Sequence, residues 1–508
     1  MESIAIDGNS LTLEIMKQAA GGNNHFFLGA TAEQRMVECR KVIETAMKKG
    51  DVIYGVNTGF GKFSDVKISA ENIEQLQTNL VLSHAAGVGQ PFSPEIVRLI
   101  LLLKANTLAK GFSGCRPELV HNLLALLNND ALPIIPEKGS VGASGDLAPL
   151  AHLSLVLIGL GEALYRQTRQ TGADILATIG IKPVNLNAKE GLALLNGTQV
   201  TTALATFALL RLEQLVKSAD IIGAMSVDAL KGTPTAFDRR IHAARGLPGQ
   251  MQVADNLLRL LQGSEIVASH RDCPKIQDAY SLRCMPQVHG AVRDSMRYAR
   301  SIIEIELNSA TDNPLIFLED AEILSGGNFH AQPLSLISDL IAIAAAQLAN
   351  ISERRIEYML DPSTSSMAGF LTEEGGLNSG FMLAQVTAAS LVAENKVLAH
   401  PASVDSIPTS ANKEDFVSMG TFAARKALEV VQNSEYVLAI ELLCAAQGLD
   451  FKKPLHSSSP IERMLSFVRH QIPHWDRDRL MAPEIEKACD IIRGDQLIQL
   501  IEAEVGQL

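Results

Sequence analysis

The chain has 508 residues, room for about two to four compact domains. Hydrophobic residues make up 47% and charged residues 20%, which excludes disordered, collagen-like and disulfide-framework proteins. Subtracting 56 acidic from 44 basic residues gives a net charge of −12, and no run of five or six Lys/Arg occurs, so the electrostatic footprint of a nucleic-acid or anionic-membrane binder is missing and a small-molecule ligand is expected.

The opening MESIAIDGNSLTLEIM has no basic flank leading into an apolar core, so it lacks the form of a secretory signal. Residues 1–112 mix short strand-like runs (Ile4–Asp7, Val52–Val56) with short helical patterns and several glycines, which reads as a smaller mixed, loop-rich N-terminal domain. From 113 to 508 the texture becomes helical. The longest weakly polar run, 147–161, is interrupted by Pro149 and His152 and is too short to cross a bilayer. Five long helices are predicted, at 201–230, 286–308, 333–360, 378–399 and 415–447, with Pro286 and Pro333 near starts and Pro401 and Gly448 after stops. In the third, about 42 Å long, Leu334, Ile337, Ile341, Ala344, Leu348 and Ile351 recur at steps of three and four, while Leu336, Leu340 and Ile343 lie off that stripe. A helix apolar around so much of its girth must be surrounded, which predicts a mainly α, long-helix bundle that forms an oligomer. Six cysteines without a C-x-x-C pair exclude a zinc ribbon or a redox motif and read as reduced thiols of a cytoplasmic enzyme; no metal is expected.

Two glycine-rich segments invite mechanistic readings. In Gly55-Val-Asn-Thr-Gly-Phe-Gly61-Lys62-Phe63 the glycine spacing is one residue too long for a phosphate loop, and Phe63 stands where a magnesium-binding Ser/Thr is required; the stretch reads instead as a surface turn carrying Tyr54. In Gly139-Ser-Val-Gly-Ala-Ser-Gly-Asp146 a hydrolase elbow fails, because Asp146 occupies the last glycine position. The plain reading is a helix start capped by Ser144 or Asp146, with Pro149 in the first turn. A sharper one is chemical. Attack of the Gly145 nitrogen on the Ala143 carbonyl carbon, with loss of that water and of a second from Ser144, leaves a five-membered ring bearing an exocyclic methylidene. Glycine leaves the attacking nitrogen least hindered, serine supplies the eliminated hydroxyl, and a helix beginning just afterwards favours negative charge developing on the ring.

The segment Gly142-Ala-Ser-Gly-Asp-Leu-Ala-Pro-Leu-Ala-His152 resembles the prosthetic-group segment of the aromatic amino acid ammonia-lyases, whose cofactor is methylidene-imidazolone (MIO). Tyr54–Gly61, Asn196-Gly-Thr-Gln199, Gln277-Asp-Ala-Tyr280-Ser-Leu-Arg283, Thr311-Asp-Asn-Pro314 and Gly326-Gly-Asn-Phe329-His330 also match, in family order over nearly the whole chain. The resemblance implies an MIO formed autocatalytically from Ala143, Ser144 and Gly145, no external cofactor, a homotetramer, Tyr54 as the base that takes the β-proton, Arg283 on the substrate carboxylate, and Asn196, Gln277, Tyr280 and Phe329 lining the site. An ordinary phenol, with a pKa of about 10, is ionised to roughly one part in a thousand at pH 7, so a tyrosine base implies either a site that favours phenolate or turnover best in alkali.

Substrate choice in that family is associated with a pair that here reads Ser83-His84, a combination that points to L-histidine, deaminated to urocanate and ammonia. Glu414 supports it, because a carboxylate accepts a hydrogen bond from an imidazole N–H and finds no partner on a phenyl ring. Lys413 and Phe416 depart from the family's histidine pattern, where Gln and His are common. The alternatives are a tyrosine or phenylalanine ammonia-lyase or a 2,3-aminomutase of the same family, or a non-catalytic helical scaffold.

Overall fold

A computed structural model describes residues 2–273 and 275–508. The chain is mainly helical: 61% of residues are in helices, and the strands form only small two- and three-stranded sheets. Four of the five long helices are found at Gln199–Ala229, Met285–Glu306, Gln332–Leu360 and Gly420–Asp450, and the fifth is Met382–Leu398. Val52–Val56 is a turn: the Val56 and Asn57 amides both donate to the Ile53 carbonyl, and among the described residues no strand pairs with the run. Gln332–Leu360 is long and apolar enough to span a membrane, which corrects the expectation that no run was; 72% of its most apolar stretch is buried within the protein, as in a core helix.

The backbone groups into two compact units. Both are discontinuous, and neither ends at residue 112. The first takes residues up to Phe207 together with Arg300–Asp339 and Pro401–Arg425; the second takes Ala208–Ala299, Leu340–His400 and Lys426–Leu508. Residues 113–207 join the N-terminal segment because helix Pro117–Asn128 packs on helix Pro94–Ala109.

In the first unit, strand Glu2–Ile6 pairs in parallel with Asn24–Leu28 (Ile4 opposite Phe26), with helix Leu13–Ala20 as the crossover, capped by the Thr12 hydroxyl accepting from the Ile15 amide at 3.3 Å. Helix Pro94–Ala109 starts with proline in its first turn, carries no internal glycine and buries nearly every residue, including Leu99, Ile100, Leu101 and Leu102. Each such side chain stabilises the core by about 1.5–3 kcal/mol. Three shorter helices, Ile73–His84, Leu147–Leu157 and Glu190–Leu195, pack on one another, and this contact brings His84, residues 142–146 and Asn196 into one neighbourhood.

The second unit is tied by buried polar clusters. Arg355 and Glu441, both fully buried, form a two-point pair at 2.5 and 2.8 Å, and Glu441 also accepts from Ser226 and Ser352 at 2.6 Å each. Asp220 accepts from His289, Arg293 and Asn256 at 2.7–2.8 Å. Helix Met382–Leu398 buries only Ala384, Ala388 and Asn395, leaving Leu383, Val386 and Val397 exposed.

Candidate active site

The Ala143-Ser144-Gly145 turn is built from backbone contacts that leave no room for larger residues. Gly145 has φ +71°, and a Cβ there would stand 2.1 Å from the Gly197 carbonyl oxygen. Gly142, at φ +68°, would place a Cβ 2.3 Å from Ser418 Oγ, while Ser418 Oγ–H itself donates to the Gly142 carbonyl at 2.9 Å. The Met419 amide donates to Val141 at 2.9 Å and the Ala331 amide to Gly142 at 3.3 Å, so the turn is held from both the 417–420 and the 326–331 segments.

Asp146 stands at the start of helix Leu147–Leu157, with Pro149 in the first turn, yet neither it nor Ser144 caps that helix through its side chain. Its fully buried carboxylate accepts from the Thr201 amide and hydroxyl at 2.8 Å each and from Thr421 Oγ at 2.6 Å, and it therefore caps the start of helix Gln199–Ala229. Burial pushes its carboxyl upward against those hydrogen bonds.

Ser144 Oγ–H donates to Asn196 Oδ1 at 3.0 Å. Asn196, at the end of helix Glu190–Leu195, is 1% exposed; its Nδ2 donates to Asp312 Oδ1 and the Asn313 carbonyl at 3.2 Å each, and its own carbonyl accepts from Lys104 Nζ at 2.7 Å. Lys104 is fully buried, which pushes its ammonium down to about 8 even with Asp312 nearby. The residue types that the MIO requires, a buried alanine, a hydrogen-bonded serine and a glycine no other residue can replace, are in place at 143–145, so these positions fit the group. The sequence reading missed Lys104, Lys189 and Asp312. The signal for the first was legible in Ile100-Leu-Leu-Leu-Lys-Ala-Asn-Thr107, where a lysine interrupts a run that must be buried.

Tyr54 is half-buried, edge-on to Phe60 with centroids 6.4 Å apart, on a loop whose Gly55–Gly59 stretch is buried. A Cβ on Gly55 would stand 2.3 Å from a Leu192 methyl and one on Gly59 2.5 Å from the Phe63 carbonyl. Gly55 and Gly61 sit at φ +71° and +54°, so the expected glycine turn is present; Lys62 and Phe63 are exposed, but the Gly55–Gly59 half is packed inward where a surface position was expected. The loop's Gly61–Phe63 turn packs beside Ser410–Asn412, which leads into Glu414. Glu414 Oε2 accepts from Thr409 and Ser410 hydroxyls at 2.7 and 2.9 Å.

His84 ends helix Ile73–His84, and its Nδ1–H donates to the Leu80 carbonyl at 2.8 Å, which leaves Nε2 as the acceptor of the neutral ring. Burial holds its pKa below the usual value, opposed by the Leu80 hydrogen bond and by the nearby Glu414 charge. Phe329 lies partly buried two residues before Ala331; His330 stacks on Phe416 (5.9 Å, 14°) and donates to its carbonyl at 3.2 Å. Lys413 and Phe416 are exposed.

Gln277, Tyr280 and Arg283 belong to the second unit. Gln277 is exposed, Tyr280 is 71% exposed at the start of helix Tyr280–Arg283, and the Arg283 guanidinium lies 4.4 Å over its ring. Arg283 Nε is buried without a hydrogen-bond partner among the described residues, beside a cavity of about 720 Å³ that Gln277, Arg283 and Gln287 help to line. A guanidinium on the wall of a cavity, with an N–H left unpaired, is suited to an anionic ligand.

The tightly enclosed Ala143-Ser144-Gly145 turn, the Tyr54 loop and the mainly helical scaffold agree with a lyase of amino acids, and the chain belongs to the aromatic amino acid lyase family, whose sequence model matches residues 11–470. It is 50% identical over 506 residues to the histidine ammonia-lyase of Natranaerobius thermophilus, a match covering 99% of this chain and 100% of that one. Among solved structures it superposes on histidine ammonia-lyase from Trypanosoma cruzi with a TM-score of 0.92 at 41% identity, covering 99% of this chain and 96% of that one. Tyrosine aminomutase from Streptomyces globisporus gives 0.93 at 37% identity, covering 99% of each.

Proposed function

We propose that this protein is a histidine ammonia-lyase, converting L-histidine to urocanate and ammonia. The observation that carries the reading is the presence of His84 and Glu414 in the unit that holds the Ser144 turn, near enough for the Glu414 charge to act on the ring: one neutral ring nitrogen and one carboxylate, both acceptors for the N–H groups of an imidazole and without use to a phenyl ring. Identity of about one half to histidine ammonia-lyases along the whole chain supports it.

Ala143, Ser144 and Gly145 would condense, with loss of two waters, to the MIO, which would supply an electrophilic methylidene carbon for activation of the α-amine as a leaving group. Tyr54 removes the β-proton. Arg283 holds the carboxylate through a two-point guanidinium pair, His84 and Glu414 hold the imidazole, Asn196 and Tyr280 face the amine, and Gln277 and Phe329 contact the substrate. The active form is a cytoplasmic homotetramer, and the exposed apolar face of Met382–Leu398 supports association.

Intact mass and a parallel assay on histidine, tyrosine and phenylalanine test the proposal. A mass short by two waters with urocanate released from histidine alone is expected. Turnover confined to tyrosine or phenylalanine, or a β-amino acid product, transfers the chain to a lyase or aminomutase of that substrate, an outcome to which the exposed Lys413 and Phe416 are relevant. An unmodified mass without turnover makes it a scaffold.

A further inference from the structure

The Thr311-Asp-Asn-Pro314 motif has no part in substrate binding as read above, yet Asp312 is 1% exposed and stands at the centre of a buried polar circuit. Its Oδ2 accepts from Lys189 Nζ at 2.7 Å; its Oδ1 accepts from the Asn313 amide at 2.6 Å and from Asn196 Nδ2 at 3.2 Å. Lys189 is fully buried and held at φ +75°, a conformation uncommon outside glycine that delivers its ammonium to the carboxylate.

The Asn196 carboxamide has two faces, and this circuit decides which one meets position 144. Both contacts of Nδ2, the Asp312 carboxylate and the Asn313 carbonyl, are acceptors that cannot donate. Rotating the amide by 180° would set Oδ1 against both of them and turn an N–H toward Ser144. The backbone of Asn196 is fixed as well, through Lys104 on its carbonyl. We propose that Asp312, clamped by Lys189, is a positioning residue that locks Asn196 with its carboxamide oxygen toward position 144, so that Asn196 accepts from, and never donates to, whatever occupies the amine-binding side. A substrate ammonium or amine presents N–H groups there, and an oxygen receives them where an NH₂ would repel them.

The inference rests on the reading of 143–145 as MIO, and its test separates the two. In Asp312→Asn the new side chain has one acceptor for three donors: facing its oxygen to Lys189 turns its NH₂ on Asn196 and releases the lock. In Lys189→Gln the carboxylate keeps a neutral donor but loses its charged clamp. Each variant is made alone and together with Asn196→Ala, and intact mass, kcat and KM are measured on the holoenzyme.

Each single variant is expected to remain short by two waters, to lose at least tenfold in kcat with KM within about threefold, and to cost less than twofold when added to Asn196→Ala, because the residue acts through Asn196 alone. Unchanged kcat, a further tenfold loss on the Asn196→Ala background, retention of both waters in the variants, or failure of both variants to give soluble protein would each overturn the proposal, the last by making the pair a determinant of the fold. A parent protein that itself retains both waters would refute the MIO reading instead.

Discussion

Ser144 and Tyr54 separate two events that a loss of activity alone would merge. Ser144→Ala removes the hydroxyl that must leave, so the protein is expected to keep its full encoded mass, lack the MIO ultraviolet band and show no turnover. Tyr54→Phe leaves the Ser144–Asn196 contact untouched; it should be short by two waters and lose about 10³-fold or more in kcat, and near-normal kcat in that variant removes Tyr54 from the chemistry. Arg283→Lys keeps the charge but not the planar fork, and with the cation–π contact to Tyr280 also altered, KM should rise at least tenfold while the mass stays that of the cyclised protein. Steady-state kinetics beside mass spectrometry reads all three.

At this scale the sequence spoke through motifs: every residue needed for the turn at 143–145 was legible, because glycine, serine and alanine are there for chemical reasons. The lysines and the aspartate behind Asn196 were not, since their roles are set by burial against partners about 90 to 120 residues away, which spacing along the chain does not disclose.

At the scale of the element, the long helices were read to within about five residues at each end, because a stripe at steps of three and four is a local property of the chain. The glycine turn was legible, but the burial of its first half was not, because Gly55 and Gly59 answer to Leu192 and Phe63 and, for Leu192, only the folded chain brings those atoms close.

Helix Gln199–Ala229 ends on a buried charge that yields a pH prediction. Asp228 accepts from Ser264 and Ser457, but burial, the largest influence, pushes its carboxyl up to about 6 from 3.8. The folded state therefore holds a proton there that the unfolded state has lost between those two values, and stability falls as pH rises from 3.8 through about 6. The whole effect is about 3 kcal/mol at 1.36 kcal/mol per pH unit, of which about 1.4 kcal/mol falls above pH 5. Asp228→Asn lacks this slope. Urea unfolding at pH 5 and pH 7.5 should show the variant gaining on the parent by about that amount at the higher pH, and a parallel pair of curves would refute the assignment.

For the whole molecule, the compact units interleave segments from across the chain, so the change of texture near residue 113 is not where packing divides. The apolar girth of the long helices carried a further message. Leu383, Val386 and Val397 stand exposed on a helix that buries little of itself, an arrangement a lone chain in water does not favour. Light scattering of the parent should give a tetramer; Leu383→Lys with Val386→Asp should shift it to smaller species and lower activity. A tetramer unaffected by both substitutions would place the contact elsewhere.

The Ala143-Ser144-Gly145 turn is enclosed at Gly145 by backbone atoms of Gly197, whereas Lys413 and Phe416, flanking Glu414, lie open to solvent. On the proposed reading, warhead assembly and side-chain recognition thus draw on different kinds of position, one with no room for a single added methyl and the other with open space around it. A library randomised at 83, 84, 413 and 416 could retarget the catalyst toward other amino acids while its self-maturation proceeds undisturbed.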